Sequence, residues 1–255
     1  MKRCTLLFFK LSVIVLFASC QKEPVPNEPA TPLAKVKTYS ENLTSSYLGH
    51  IAFNYDISYD ADNKLISAIS TSAPGTKLLL TYPSTSKYYT DFYENNILQI
   101  HEDFFLNSNS FIDSTFQYNN TMDSSTEKYF YNTNNQVTKI KEYSYSKITG
   151  SELSNTVTNT YNADGDLVTS ADTNKNNETY EYYTDLNYTA PLVFGPANIN
   201  STKKFHLIKK HTLSSNGSFV TSSDNTYTFD SNNRISTEKQ TFTDGSILLK
   251  TYTYF

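Results

Sequence analysis

The chain has 255 residues, of which 18% are charged and 15% aromatic, with 21 Tyr, 16 Phe, no Trp and a net charge of −4. That aromatic content supplies enough apolar area for a core and excludes an intrinsically disordered chain. Seven glycines exclude a collagen-like or low-complexity polymer, and the lack of a basic excess argues against a nucleic-acid partner.

The first twenty residues read as an export signal. Met1-Lys2-Arg3 is a basic n-region, and Leu6 to Phe17 form an apolar run interrupted by Lys10 and Ser12. The run is too short to span a bilayer and suits a secretory signal. It ends in Phe17-Ala18-Ser19-Cys20. This segment resembles the lipobox of bacterial lipoproteins, although Phe17 stands where that family usually carries Leu. The resemblance implies cleavage after residue 19, a diacylglyceryl group on the Cys20 thiol and an acyl chain such as palmitate on its new amine. Cys4 lies within the signal, so the mature chain has no cysteine left for a disulfide. Its balance becomes 18 basic against 25 acidic residues, or −7. Gln21-Lys22-Glu23 is similar to the Lys-acidic surface-export signals of some Gram-negative lipoproteins. The expected location is therefore the outer membrane, lipid-anchored and exposed at the cell surface, with a periplasm-facing anchor as the alternative.

Residues 20–39 contain Cys20 and a tether with Pro24, Pro26, Pro29 and Pro32, which reaches on the order of 45 Å when extended. Residues 40–255 alternate apolar and polar residues, as in Tyr143-Ser-Tyr145, Tyr180-Glu-Tyr182, Tyr227-Thr-Phe229 and Tyr252-Thr-Tyr254. Such alternation predicts half-buried β-strands. No stretch carries helical periodicity. Turn signals recur every 8 to 14 residues, from Asn63 through Pro74-Gly75, Asn95-Asn96 and Asn134-Asn135 to Asn216-Gly217 and Asp244-Gly245. They predict about 14 strands joined as neighbours. Residues 188–204, with Pro191, Gly195 and Pro196, are expected to form a long loop.

One unit recurs: Tyr59-Asp-Ala-Asp-Asn-Lys-Leu65, Tyr131-Asn-Thr-Asn-Asn-Gln-Val137, Tyr161-Asn-Ala-Asp-Gly-Asp-Leu167 and Phe229-Asp-Ser-Asn-Asn-Arg-Ile235. An aromatic residue is followed six positions later by an aliphatic one, with turn formers between. Tyr93-Glu-Asn-Asn-Ile97 is read as a shortened copy, and the spacing suggests a two-hairpin unit of about 34 residues. An antiparallel sheet of this size curls or closes, so the expected fold is all-β: an up-and-down meander forming a closed or partly closed barrel. The aromatic-Asp/Asn turns resemble the YD-type repeats of RHS proteins. The lipobox, tether, turns and Pro196-Ala-Asn-Ile-Asn-Ser-Thr-Lys loop together resemble a family of uncharacterised bacterial lipoproteins with a porin-like fold. That resemblance implies a fold and no activity.

Chemistry is sparse. Of His50, His101, His206 and His211, none belongs to a zinc pattern. His101-Glu102-Asp103 is not a catalytic cluster, because adjacent strand residues point apart. Asp60-Ala-Asp62 and Asn162-Ala-Asp164-Gly-Asp166 faintly resemble calcium loops but read better as hairpin turns. No metal, cofactor or catalytic residue is assigned, and the chain is not expected to be an enzyme; Cys20, as lipidation site, is the one residue given a chemical role. Its partners are the membrane, through that lipid, and an unidentified protein or glycan. The leading expectation is a lipid-anchored ligand-binding or structural module. The rivals are an integral outer-membrane pore and a glycan hydrolase with dispersed carboxylates. The terminal Tyr252-Thr-Tyr-Phe255 resembles the final strand signal of outer-membrane barrels, but Ile247-Leu-Leu-Lys-Thr lacks the usual glycine. Alternation alone leaves open which face of the barrel is apolar.

Overall fold

The computed structural model describes residues 35–47, 49–119, 124–146, 150–188 and 205–255. Cys20, the signal, the proline tether and the Pro191–Pro196 loop lie outside these residues. The described chain forms sixteen strands: β1 (Val36–Ser45), β2 (Gly49–Tyr59), β3 (Leu65–Ser70), β4 (Lys77–Ser84), β5 (Lys87–Glu94), β6 (Ile97–Leu106), β7 (Ile112–Asn119), β8 (Ser124–Tyr131), β9 (Val137–Ser146), β10 (Gly150–Tyr161), β11 (Leu167–Asp172), β12 (Asn176–Tyr188), β13 (Phe205–Ser215), β14 (Ser218–Phe229), β15 (Ile235–Phe242) and β16 (Ile247–Tyr254). Each pairs antiparallel with its sequence neighbours, and β16 pairs with β1 to close the barrel. The seam runs from Val36 opposite Tyr254 to Thr44 opposite Ile247. Sixteen strands exceed the expected 14. Among the turns missed is the one before Gly49, where φ is +73°. β1 also begins four residues before the expected boundary at 40.

The turns fall into two rims of different construction. One rim carries the β2/β3, β4/β5, β6/β7, β8/β9, β10/β11 and β14/β15 turns together with the start of β1 and the end of β16; it is called the terminal rim. The four recurring units all lie here and share one hydrogen-bond pattern. In the first, Asp60 Oδ1 accepts the N–H groups of Asp62 and Lys64 at 2.9 and 2.8 Å. Asn132 and Asp230 do the same for residues two and four ahead, and Asn162 Oδ1 accepts the Asp166 N–H at 2.9 Å. A side-chain oxygen thus replaces the missing strand partner, which is why Asp or Asn follows the aromatic. A fifth turn of this design falls at Asn107 to Asn109, a turn signal in the sequence that was not counted among the recurring units: Asn107 Oδ1 accepts the N–H groups of Asn109 and Phe111. The Tyr93 copy is a different object, a tight hairpin with positive φ at both Asn95 and Asn96, on the opposite, distal rim. Successive terminal-rim turns are two strands apart, so the recurring element is one strand pair and not two hairpins.

Tyrosines tie the terminal rim together. The hydroxyls of Tyr82, Tyr131, Tyr161, Tyr182, Tyr227 and Tyr254 donate to the carbonyls of Leu65, Ile112, Val137, Leu167, Ile208 and Ile235, at 2.6–2.9 Å. In β1 and β2 the Val36 N–H donates to the Tyr59 hydroxyl at 3.1 Å. Each bond joins an even strand to the first few residues of the odd strand before it. The β3–β4 ladder ends at Ser67 opposite Leu79, and Tyr82 reaches past that point to Leu65. Behind this ring sits the main apolar cluster, including Val36, Ile57, Leu65, Leu80, Leu207 and Ile235. A smaller cluster of Tyr88, Phe104 and Ile112 adjoins Tyr82.

Replacing Tyr131 or Tyr254 with Phe deletes one such bond and is expected to lower unfolding free energy by about 1 kcal/mol each. Tyr145→Phe, at an outward and half-exposed position, is expected to leave chemical denaturation unchanged. On the distal rim, Gly75 (φ +81°) approaches a neighbouring turn so closely that an added Cβ would lie 2.8 Å from the Asn96 nitrogen. Gly245 has the same φ in open space. Gly75→Ala therefore combines backbone strain with a clash and is expected to cost more than Gly245→Ala, which incurs only the strain of about 1–2 kcal/mol.

Candidate functional site

Residues opposite one another in an antiparallel pair project to the same face, so burial at a few positions assigns every row of the barrel. Tyr252, Tyr39, Tyr55 and Ser70 form one continuous row, and all four are under 10% exposed; this is the inward face. Two positions further from the terminal rim lies the inward row Tyr227–Glu238–Lys250–Glu41–Phe53. Here the Lys250 ammonium stands 3.3 Å from Glu238. Across the barrel the inward rows read Tyr88–Phe104–Thr115–Glu127–Glu142–Asn155 and Thr90–Glu102–Gln117–Ser125–Ser144–Glu152. Asp172 and Glu178 continue the inward acidic set on β11 and β12.

The interior is thus apolar near the terminal rim and acidic and tyrosine-rich beyond it. Sequence alternation places tyrosine beside glutamate two positions away on the same face. The hydroxyls of Tyr39, Tyr129 and Tyr180 donate to Glu41, Glu127 and Glu178 respectively. Burial pushes the Tyr39, Tyr129 and Tyr180 hydroxyls well above their usual pKa, and the adjoining carboxylates push them further. Tyr55, one strand from Glu41, is raised to about 12, again by burial and then by that carboxylate. Burial alone would raise the Glu178 carboxyl; hydrogen bonds from His211 and Tyr180 outweigh it and hold the group below the usual carboxylate range. Asn155 bridges two more of the acids, its amide lying 3.3 Å from Glu142 and 3.5 Å from Asp172.

The outward rows are of another character. Across the seam they read Thr228–Thr237–Thr251–Ser40–Asn54, with Thr228 and Thr237 hydroxyls 2.7 Å apart. On the opposite wall they read Tyr89–Asp103–Phe116–Thr126–Tyr143–Leu153 and Lys87–Phe105–Ser114–Lys128–Lys141–Thr156. Lysines on this wall lie over rings, Lys87 over Phe105 at 5.1 Å and Lys141 over Phe130 at 5.7 Å.

The histidines separate as strand geometry requires. His101 faces outward between Tyr89 and Tyr118, 2.6 Å from Asp91 across the strand pair, while Glu102 faces inward. His211 faces inward, stacked on Tyr180 and 3.2 Å from Glu178. His50 faces outward beside Thr44. His206 meets Asp166 at 2.8 Å at the terminal rim. With Asp164 these two form the group among the described residues whose ligand atoms lie within 4.8 Å of one another. Asp166 is already engaged by His206 and the Asn162 amide, and three donors are fewer than calcium takes. The turn account of residues 162–166 therefore suffices. Sequence reasoning missed the Glu127–Glu142 juxtaposition, which depends on register between strands.

No protein-family model and no curated protein matches the chain. Among solved structures it is similar to a porin-like protein from Bacteroides uniformis, at 12% identity and a TM-score of 0.59, covering 89% of this chain and 100% of that one. A porin-like protein from Bacteroides vulgatus aligns at 12% identity over 87% of this chain and 99% of that one, with a TM-score of 0.49. The first similarity shows the fold: a porin-like, closed antiparallel barrel.

Because its folded-state pKa is depressed, Glu178 contributes stability that is present above its unfolded pKa and is lost as pH falls through the folded value. Glu178→Gln is expected to be less stable than wild type at pH 7. It is also expected to lose less stability than wild type between about pH 5 and 3, as read by denaturant midpoints across that range.

Proposed function

We propose that this chain is a lipid-anchored cell-envelope protein whose barrel stands outside the bilayer and binds a ligand within its acidic, tyrosine-lined interior. The observation that carries this reading is the outward face. A barrel that crosses a membrane shows lipid an apolar band about 25 Å tall. Here the seam wall presents the row Thr228, Thr237, Thr251, Ser40 and Asn54, then Lys239 and Asn42 beside Leu249 and Ala52 in the next row, and Asp224, Thr241 and Thr44 beside Ile247 in the one after. Burying these against hydrocarbon would cost several kcal/mol for the charged groups alone.

The lipobox ending at Cys20 then supplies membrane attachment, since diacyl and amide-linked chains anchor a protein whose outer face mixes aromatic residues with polar and charged ones. The tether enters β1 at the terminal rim, where the interior is filled by Val36, Leu65, Leu207 and Ile235. The acidic part of the interior lies toward the other rim, away from the anchor. In this arrangement the apolar end is the base and the distal rim the mouth. Attachment at the outer membrane, surface-exposed, follows from the Lys22-Glu23 signal.

The test is detergent-phase partitioning. Residues 21–255, secreted behind an ordinary cleavable signal, are expected to fold as β-sheet and stay in the aqueous phase. The full chain is expected to incorporate labelled palmitate and enter the detergent phase. Entry of the 21–255 chain into detergent would instead establish an integral barrel.

A further inference from the structure

The outer wall of the barrel differs from one side to the other. Phe105, Phe116, Tyr118, Phe130, Tyr145 and Leu153 are each 37–54% exposed, and all lie on β6–β10. The strands at the seam, β15, β16, β1 and β2, carry no exposed large apolar side chain among the described residues. Tyr47 and Phe255, beside them, lie in a turn and at the chain end. A belt that crosses a bilayer runs all round its barrel. An apolar face on one side fits a contact made from that side.

A cluster of cations shares this wall. Lys128 and Lys141 are register partners on β8 and β9 and face outward, and Lys139 stands opposite Phe130 in the next outward row. Like charges placed directly opposite destabilise a sheet. The outward acids nearby are engaged elsewhere, Asp103 by Lys87 at 2.8 Å and Asp91 by His101 at 2.6 Å. Among the described residues no carboxylate pairs with Lys128, Lys139 or Lys141; Lys128 lies over Tyr143 and Lys141 over Phe130. Three lysines without an acid, in a chain of net charge −4, mark a surface complementary to an anion.

We infer that the β6–β10 wall rests on an anionic lipid surface, with Lys128, Lys139 and Lys141 at headgroup phosphates and the aromatic rings at the boundary with the acyl chains. Aromatic and lysine side chains together are the composition of membrane-interface surfaces. Each lysine near an anionic leaflet strengthens attachment roughly fivefold. The inference rests on the reading that the barrel stands outside the bilayer on a lipid anchor, and gives it a second membrane contact. A second copy of the chain fits less well, because a two-fold contact through β8 and β9 would bring two lysine clusters together. β9 is eight strands from β1, on the opposite side of the closed barrel. A barrel of this strand number is roughly 30 Å across. The proline tether, about 45 Å when extended, is long enough to pass from the bilayer round the terminal rim to β1.

The test uses the full acylated chain in vesicles, with a fluorescent probe on Thr126→Cys, between Phe116 and Tyr143 on this wall, or on Thr251→Cys at the seam. Quenching by lipid spin-labelled at its headgroup reports contact. In vesicles of phosphatidylglycerol and phosphatidylcholine in equal parts, the probe at position 126 is expected to be quenched and the probe at 251 is not. In phosphatidylcholine alone the docked-to-free ratio is expected to fall at least roughly tenfold. The Lys128→Gln/Lys139→Gln/Lys141→Gln variant is expected to lose docking on the mixed vesicles by a similar factor. Its Tm in detergent micelles should equal or exceed that of wild type, since the opposed pair is relieved. Lys239→Gln, on the seam wall, serves as the control and should dock as wild type does.

Absence of quenching at position 126 on mixed vesicles, or unchanged docking of the triple variant, overturns the proposal. A response of that probe to dextran sulfate but not to vesicles overturns the lipid in favour of an anionic polymer. If the 21–255 chain stays aqueous and quenching at 126 fails, this inference alone is lost. If that chain enters detergent and quenching is equal at 126 and 251, the barrel is integral and the reading beneath is lost as well.

Discussion

Closure of β16 onto β1 is the constraint on which the rest depends. Among the described residues each of the sixteen strands is paired on both sides, so the sheet has no edge strand open to other chains. Closure also removes any freedom in the choice of face. Once Tyr39 and Tyr252 turn inward at the seam, alternation and register carry the assignment around the barrel. A slip of one residue in β9 would place Lys141 inside and Glu142 outside. The mixed polar and aromatic character of the outer wall and the acidic character of the inner one are thus a single fact about register.

The two rims solve different problems. At the terminal rim, neighbouring strands end before their ladders are complete, and Asx side chains with tyrosine hydroxyls supply the missing bonds. The apolar residues at the same end give those hydroxyls a dry setting, in which each bond matters more. At the distal rim the turns are short and rely on backbone geometry, with positive φ at Gly49, Gly75, Asn95, Asn96, Gly217 and Gly245. The mouth is therefore built from tight turns and acidic strand middles, while the base is tied and filled.

Charge is segregated to match. Lysines that could have met the interior carboxylates of the far wall instead project outward over aromatic rings, as Lys128 does over Tyr143. The interior acids are held by tyrosines two positions along the same strand and by Asn155, and at the seam wall an inward lysine, Lys250, stands in register with them. A carboxylate bonded to a buried tyrosine keeps its charge without needing a cation from the protein.

Much of this was legible in the sequence. Asp60, Asn132, Asn162 and Asp230 announced terminal-rim turns because the chemistry of an Asx turn is local, lying within five residues. Period-two alternation gave the all-β meander, and the number of strands made closure the natural end. Local signals failed where context changed their meaning. Asn107 to Asn109 signals a turn in the sequence, but its membership of the repeat is hidden because Leu106 stands where the other copies have an aromatic; the cue is Ile112, six residues after Leu106. Tyr93–Ile97 shares composition with the repeat but sits on the other rim, because its two central asparagines take positive φ. Alternation likewise separated Glu102 from His101 correctly, without saying which of the two faced inward. The meeting of Glu127 with Glu142, and their row with Tyr88, required the tertiary structure. Local chemistry sets turns and alternation, whereas register between strands joins residues tens of positions apart, and only the closed barrel fixes that register.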